Sequence, residues 1–267
     1  MTITVETEDR VTTVTITRPE ARNAVNPAMA QALFDVFRAF DADPDADVAV
    51  LTGAGGAFCA GFDLKAAAGA EGAAWIIGLD LAGDWVDPVS DPRPGPMGPT
   101  RLVLTKPVIA AIEGHAVAGG MELAAWCDLR VMAESATTGV FCRRWGVPLI
   151  DGGTVRLPRL LGQGRANDLI LTGRPVGGSE ALALGFADRL CAAGEALAVA
   201  QALARDLARF PQACLRADFL SARMPPADLA AALRREWASV RVLAGEGRAG
   251  AARFAEGKGR GGSFGDI

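Results

Sequence analysis

Residues 106–128, KPVIAAIEGHAVAGGMELAAWCD, form the stretch that decides the fold. An apolar run over 108–112 lies between a proline and a glycine, which predicts a buried strand. Three glycines follow it, and they allow a tight turn in which backbones approach closely. The segment 121–126 after this turn is apolar apart from Glu122. Because a charged group in an apolar helix is costly unless it is paired or used, Glu122 is either a partly exposed or salt-bridged residue or a functional one.

The composition indicates a globular chain with one large core. Half of its 267 residues are hydrophobic, and no run of 18 apolar residues is free of charge. The net charge of −4 and a pI near 5.2 give no reason to expect nucleic-acid binding. Five scattered cysteines without a CxxC pair, and a single histidine, argue against a metal site. No signal peptide is visible, so we expect a cytoplasmic protein without a membrane segment.

The pattern outside the central stretch predicts strands and helices, with a helical C-terminal part. Asn26, followed by a proline, is a good helix N-cap, and we expect Ser179 to cap a short helix. Residues 134–155 read as a long loop, and residues 66–100 as a loose helix followed by a proline-rich rim or lid. Strands are predicted at 3–5, 11–17, 48–52, 108–112 and 129–133, and helices at 155–161, 165–172, 179–184, 195–210, 214–222, 228–244 and 248–256.

A second glycine-rich turn, GAGGAFCAGFDLK at 53–65, follows a predicted strand. Its glycines lack the G-x-G-x-x-G spacing of a dinucleotide-binding turn, and the G-K-S/T of a P-loop is missing. Such a loop can instead present free backbone N–H groups to a negatively charged oxygen. Which role applies depends on the groups that face the loop.

Four segments together resemble the crotonase (enoyl-CoA hydratase/isomerase) superfamily over almost the whole chain. They are RPEARNAVN at 18–26, GAGGAFCAGFDLK at 53–65, the stretch at 106–128, and GVPLIDGGTVRLPRLLGQGRANDLILTGRPV at 146–176. The resemblance implies an α/β fold, a crotonase-like spiral of ββα units with a C-terminal helical trimerisation region. It divides the chain into a core with the CoA-thioester site at 1–195 and a helical oligomerisation region at 196–267. It also implies a homotrimer or hexamer, an acyl-CoA substrate, and no cofactor beyond the coenzyme A that the substrate carries.

By the same resemblance, the backbone N–H groups of Phe62 and Gly119 form an oxyanion hole. A thioester carbonyl that becomes an enolate gains negative charge on its oxygen, and each fixed N–H donor stabilises it by roughly 3 kcal/mol. The side chains of Lys65 and Arg22 suit the CoA phosphates. The positions that match the family's CoA and substrate path are Arg22, Ala24, Ala60, Gly61, Asp63, Leu64, Lys65 and Gly120.

The catalytic residues depart from those of the family's hydratases, which use two glutamates. Glu122 matches the first, whereas an ungapped alignment of 139–154 places Cys142 at the second. A thiol with an ordinary pKa of about 8.5 is a poor replacement for a carboxylate. Asp151 lies in the same loop, close to a position where some family members carry a working aspartate. Asp151 is therefore either a second acid–base group or a cap for the helix that begins near residue 152.

Three functions stay open at this point. The first is a lyase reaction, hydration or dehydration of an enoyl-CoA, with Glu122 as base and Asp151 or a water as its partner. The second is a one-carboxylate reaction on the same scaffold: double-bond isomerisation, decarboxylation or hydrolysis. The third is an acyl-CoA-binding protein with little turnover. The missing second glutamate weighs against the first function, whereas the retained carboxylates and oxyanion glycines weigh against the third. A lyase remains the first prediction.

Overall fold

Two β-sheets and the helices around them make up the protein in its computed structural model, which describes residues 2–258. Numbered along the chain, the strands are β1 (Ile3–Glu8), β2 (Val11–Ile16), β3 (Val48–Gly53), β4 (Val108–Ile112), β5 (His115–Val117), β6 (Leu129–Ala133), β7 (Thr137–Gly139), β8 (Val176–Gly177) and β9 (Arg189–Cys191). The helices are α1 (Pro27–Ala42), α2 (Leu64–Ala67), α3 (Ala70–Gly78), α4 (Gly119–Trp126), α5 (Gly153–Leu161), α6 (Gln163–Thr172), α7 (Gly178–Leu184), α8 (Ala196–Ala208), α9 (Gln212–Ser221), α10 (Pro226–Trp237) and α11 (Glu246–Ala255).

The main sheet has six strands in the order β1-β2-β3-β4-β6-β9, and the smaller sheet has three in the order β5-β7-β8. In the main sheet, β1 pairs antiparallel with β2, and every other neighbouring pair is parallel. Parallel neighbours need crossover connections, which run here through helices and turns such as α4 between β4 and β6. The crossovers bring the turns at the ends of β3 and β4 close together.

The stretch 106–128 forms the centre of the main sheet and the helix that leaves it. Every residue of β4 and of α4 is buried. At the turn, Gly120 packs so closely on the Cys59 carbonyl that a Cβ atom there would lie 2.1 Å from its oxygen. Ala118, just before α4, has a φ of 54° although it is not glycine. These close contacts fix the direction in which α4 starts, and therefore where Glu122 lies.

Most predicted elements are present, and the differences concern their ends. β1 runs on to Glu8 because its polar residues pair with β2. The loop predicted at 134–155 contains β7 and a 3₁₀ helix at Phe141–Trp145. The helix predicted at 228–244 ends at Trp237, and the chain continues as a 3₁₀ helix. The cap predicted at Ser179 is wrong, because Gly177 occupies the N-cap of α7 and no side chain caps it.

The proline-rich segment after α3 has no regular helix or strand up to the 3₁₀ helix at Pro99–Arg101. It is nevertheless held by hydrogen bonds of its own. Gly95 and Gly98 exchange two backbone hydrogen bonds of 2.8 and 2.9 Å, and the Trp85 indole donates to the Asp91 carbonyl at 2.9 Å. The loose helix expected before this segment is two short helices, α2 and α3.

The C-terminal helices differ in where they pack. The buried residues of α8 belong to the same apolar core as the main sheet. Buried residues of α10 form a second apolar cluster with Trp85, Ile150 and Val155. The division of the chain at residue 195 and the use of the later helices in an oligomer stay predictions. Within residues 2–258, no helix has both the length and the apolar character needed to cross a membrane.

The observed cap Asn26 and the wrongly predicted cap Ser179 offer a matched test of the fold. The Asn26 side chain accepts a hydrogen bond of 3.0 Å from the backbone N–H of Met29 at the start of α1. Replacing Asn26 with alanine removes that acceptor, so we expect the free energy of unfolding to fall by about 1 kcal/mol. Ser179→Ala removes no cap and should change it by less than about 0.5 kcal/mol. Urea unfolding of both variants measures the difference, and equal losses would contradict the assigned caps.

Candidate active site

A cavity of about 1120 Å³ lies between the two glycine-rich turns and the C-terminal helices. Most side chains and backbones singled out in the sequence meet on its wall, although they come from four separate stretches of chain. These are Arg22, Ala24, Ala60, Phe62, Asp63, Leu64, Lys65, Gly119, Glu122, Cys142 and Asp151. Gly61 and Gly120 do not line the cavity. They instead let the backbone segments that form its wall pack closely together.

The two predicted oxyanion donors lie next to each other at one point of this wall. A Cβ atom on Gly61 would lie 2.9 Å from the Gly119 nitrogen, and one on Gly119 would lie 3.4 Å from the Phe62 nitrogen. Glycine at both positions therefore lets the two turns approach. Among the residues that the structure describes, neither the Phe62 N–H nor the Gly119 N–H donates to a carbonyl. Two adjacent free N–H groups on a cavity wall can bind an oxyanion.

Glu122 is buried beside these donors, and within residues 2–258 only one of its oxygens accepts hydrogen bonds. Its Oε1 accepts hydrogen bonds of 2.9 Å from the backbone N–H groups of both Asp151 and Gly153. Burial raises the pKa of Glu122 well above its ordinary value, and the negative charges of Asp151 and Glu236 raise it further. The two N–H donors oppose this rise. Glu122 can therefore keep a proton at a pH at which an exposed glutamate is already ionised.

Asp151 is equally buried, and its side chain does not cap the helix that follows it. The Oδ1 atom accepts hydrogen bonds from the Met97 N–H at 2.9 Å and from the Thr100 hydroxyl. Burial raises the pKa of Asp151 to about 6, although these donors and two nearby arginines lower it. Asp151 is therefore not a helix cap, and its carboxyl group instead joins the proline-rich segment to the cavity wall.

Cys142 lines the same cavity, in the 3₁₀ helix after β7. Burial raises the pKa of its thiol to about 12, and the charge of Glu122 adds to this rise. The thiol therefore stays protonated at neutral pH and does not replace a carboxylate as a base. The structure brings Glu122, Asp151 and Cys142 to the wall of one cavity, as the sequence predicted, and two of these three groups are carboxyl groups with raised pKa values.

Glu236 on α10 was not predicted from the sequence. It is buried, and it accepts hydrogen bonds from the Gly152 N–H at 2.6 Å, the Thr154 N–H at 2.8 Å and the Thr154 hydroxyl at 2.7 Å. In the sequence it stands in a charged run, RREW, where nothing distinguishes it from a surface residue. Two apolar residues that follow it, Trp237 and Val240, line the cavity.

The other end of the cavity carries charged groups at its mouth. Asp63 is held on both sides, because Oδ2 pairs with Arg18 at 2.7 Å and Oδ1 accepts from the Lys65 N–H at 2.9 Å. Its carboxylate therefore shapes the wall at the start of α2. Lys65 and Arg22 are exposed, and within residues 2–258 no carboxylate forms an ion pair with either. Both cations are available to an anionic ligand.

Comparisons with known proteins agree with this arrangement. A family model described as enoyl-CoA hydratase/isomerase matches residues 6–78 and 100–237. The gap between the two matched parts contains most of the proline-rich segment. Enoyl-CoA hydratase EchA19 from Mycobacterium tuberculosis is 38% identical over 207 residues, which cover 75% of this chain and 72% of the relative. A carnitinyl-CoA dehydratase from Salmonella arizonae is 39% identical over 197 residues, which cover 73% and 69%.

Solved structures give the same result for the fold. A crystal structure of an enoyl-CoA hydratase from Mycobacterium tuberculosis superposes with a TM-score of 0.75 at 33% identity, covering 90% of this chain and 98% of that one. EchA1_1 from Mycobacterium paratuberculosis superposes with a TM-score of 0.77 at 30% identity, covering 94% and 95%. The predicted fold class is thereby confirmed. The chain belongs to the enoyl-CoA hydratase/isomerase family, the crotonase superfamily.

Proposed function

We propose that the protein is a lyase that adds water to, or removes it from, an enoyl-CoA thioester. The observation that carries this proposal is the meeting of two buried carboxyl groups, Glu122 and Asp151, with two free backbone N–H groups on one cavity wall. Hydration needs each of these parts. The N–H pair binds the thioester oxygen, and the two carboxyl groups exchange the two protons of the reaction.

In the hydration direction, the ionised carboxyl group takes a proton from water, and the water oxygen bonds to the β-carbon. The electron pair of the carbon–carbon double bond moves toward the thioester, whose oxygen becomes negative. The N–H groups of Phe62 and Gly119 stabilise that oxygen by roughly 3 kcal/mol each. The protonated carboxyl group then donates its proton to the α-carbon. The pair carries one proton before and after the reaction, so Glu122 and Asp151 exchange their protonation states.

The remaining cavity residues would hold the substrate. Lys65 and Arg22 at the mouth would bind CoA phosphates, and the backbones of Ala24, Ala60 and Leu64 would line the path of the CoA chain. Coenzyme A then enters with the substrate, and no separate cofactor is needed. A homotrimer or hexamer, a cytoplasmic location and a place in fatty acid metabolism are part of the same proposal.

An isomerase is the second candidate, and Cys142 is the observation that favours it. Its protonated thiol leaves no carboxylate at the position where the family's hydratases carry their second glutamate. Isomerisation moves one proton from one carbon to another and can use a single carboxylate. Assays on 3-enoyl-CoA substrates beside crotonyl-CoA distinguish the two reactions by their products.

Removing either carboxyl group should nearly abolish hydration. Glu122→Gln and Asp151→Asn keep the oxygen that accepts the observed hydrogen bonds but lose the acid–base function. We expect kcat for crotonyl-CoA hydration to fall by about 10²- to 10⁴-fold in each variant. Glu134→Gln changes an exposed glutamate outside the cavity and should leave kcat unchanged. Normal turnover of folded Glu122→Gln would exclude the proposed role of Glu122.

The pH profile should be bell-shaped, because the pair works only when it carries one proton. Below a pH of about 6, the raised pKa of Asp151, both groups are protonated and neither can accept a proton from water. Above the raised pKa of Glu122, both are ionised and neither can protonate the α-carbon. We therefore expect kcat/KM to fall in acid with a midpoint near 6 and to fall again in alkali. A profile that stays flat through the acid range is the contrary result.

Restoring a carboxylate at position 142 should increase hydration. Cys142→Glu places a second glutamate on the cavity wall near Glu122, and we expect kcat for crotonyl-CoA to rise by roughly tenfold or more. Cys142→Gln introduces a side chain of the same size as glutamate but without an ionisable carboxyl group, and it serves as the control. The two variants are compared after their unfolding temperatures show that both are folded. Equal rates would show that Cys142 does not stand at the second acid–base position.

A further inference from the structure

Two glutamates accept hydrogen bonds, in alternation, from four successive backbone N–H groups where α5 starts. Glu122 on α4 accepts from positions 151 and 153, at 2.9 Å each. Glu236 on α10 accepts from positions 152 and 154, at 2.6 and 2.8 Å. One carboxylate belongs to the proposed acid–base pair, and the other has no role in the reaction described above. The two are therefore connected through a single turn of backbone.

This arrangement uses the N-terminus of a helix to hold buried negative charge. The first N–H groups of a helix have no partner within it, and the helix dipole favours anions there. Gly153 is essential to the close packing, because a Cβ atom there would lie 2.8 Å from Oε1 of Glu122. If Glu236 were absent, the N–H groups of Gly152 and Thr154 would lose their acceptors, and the turn would lose one of its two anchors.

Charged groups face this turn from several elements. The guanidinium of Arg156 on α5 donates to the Asp151 and Thr100 carbonyls, and it counters the charge of all three carboxyl groups. Arg101 lies over the Trp237 ring at 4.4 Å and is influenced by Asp151 and Glu236. Farther out, Asp80 and Arg93 act on Arg101, and Arg223 acts on Arg156. In these surroundings the negative charge of Glu236 raises the pKa of Glu122.

We propose that Glu236 is a positioning residue for the acid–base pair: it anchors the 151–154 turn so that Glu122 and Asp151 face one cavity. Held at that turn, its negative charge also favours the protonated form of Glu122. The kinetic part of this inference rests on the proposed function. The effect on Glu122 itself does not, because a carboxyl group titrates whether or not the protein turns over a substrate.

The link continues from the turn to the wall of the cavity. Trp237, the next residue of α10, lines the cavity, and its indole donates to Asp80 at 3.0 Å. A displacement of α10 would therefore move both the turn that holds the carboxyl pair and one side of the substrate space. Glu236 and Trp237 together connect the C-terminal helices to the chemistry.

The test uses the full chain and two variants, which separate the effect of the charge of Glu236 from the effect of its side-chain length. Glu236→Gln keeps the length of the side chain and removes its charge, whereas Glu236→Asp keeps the charge and shortens the reach. Asp228→Asn changes an exposed carboxyl group on the same helix and is the control. Titration of Glu122 is followed by NMR of glutamate labelled with ¹³C at the side-chain carboxyl carbon, with Glu122→Gln used to assign its signal. The pH profile of kcat/KM is measured on the same proteins.

In Glu236→Gln we expect the Glu122 titration and the alkaline limb of kcat/KM to move to lower pH by about one pH unit, because a nearby negative charge is gone. In Glu236→Asp both should stay near the wild-type pH, while kcat/KM falls roughly tenfold because the turn is less well held. Asp228→Asn should match the wild type in every measurement.

Two results would overturn the inference. One is an unshifted Glu122 titration in folded Glu236→Gln, and the other is wild-type kcat/KM in Glu236→Asp. If Glu236→Gln does not fold, Glu236→Asp still decides the positioning role. A shifted titration in a protein that hydrates no enoyl-CoA would support the link between the two glutamates and reject the proposed function.

Discussion

The structure of the site depends on how buried carboxyl groups are stabilised at the start of α5. Burying an unpaired carboxylate is costly, and Glu122, Asp151 and Glu236 are all buried. Backbone N–H groups at the start of α5 reduce that cost for Glu122 and Glu236. Asp151 accepts instead from Met97 and Thr100, and Arg101 and Arg156 add positive charge nearby. The helices α4 and α10 and the proline-rich segment meet at this turn, through Glu122, Glu236 and the Met97 N–H that Asp151 accepts from.

Local chemistry made several features predictable. The apolar run of β4 and its flanking residues predicted a buried strand, and the strand lies at the centre of the main sheet. Asn26 and the proline after it predicted a helix start that the structure confirms with a hydrogen bond to Met29. Glu122 was conspicuous because it interrupts an apolar helix next to glycines. In these cases the deciding interactions lie within a few residues, so the sequence carries them directly.

Interactions between distant parts of the chain could not be predicted in the same way. Glu236 meets the 151–154 turn across more than 80 residues, and its neighbours in the sequence give no sign of burial. Asp151 looked like a possible helix cap, whereas its side chain binds the backbone at Met97, more than 50 residues away. Ser179 shows the opposite error, since a residue type that favours caps is here the second residue of its helix. The packing of whole helices and strands decides such cases, and the contacts between distant residues cannot be inferred from a single sequence.

The protonated state of Cys142 also has a consequence for the reactivity of the cavity. An enoyl thioester is an electrophile that alkylates thiolates, so a reactive cysteine beside it would be consumed by the substrate. With its pKa raised to about 12 by burial, the thiol supplies only about one thiolate in 10⁵ molecules at neutral pH. The protein can thus carry sulfur on the wall of the cavity proposed to bind an enoyl thioester without forming a covalent adduct. The same burial would make Cys142 resistant to general thiol-modifying reagents.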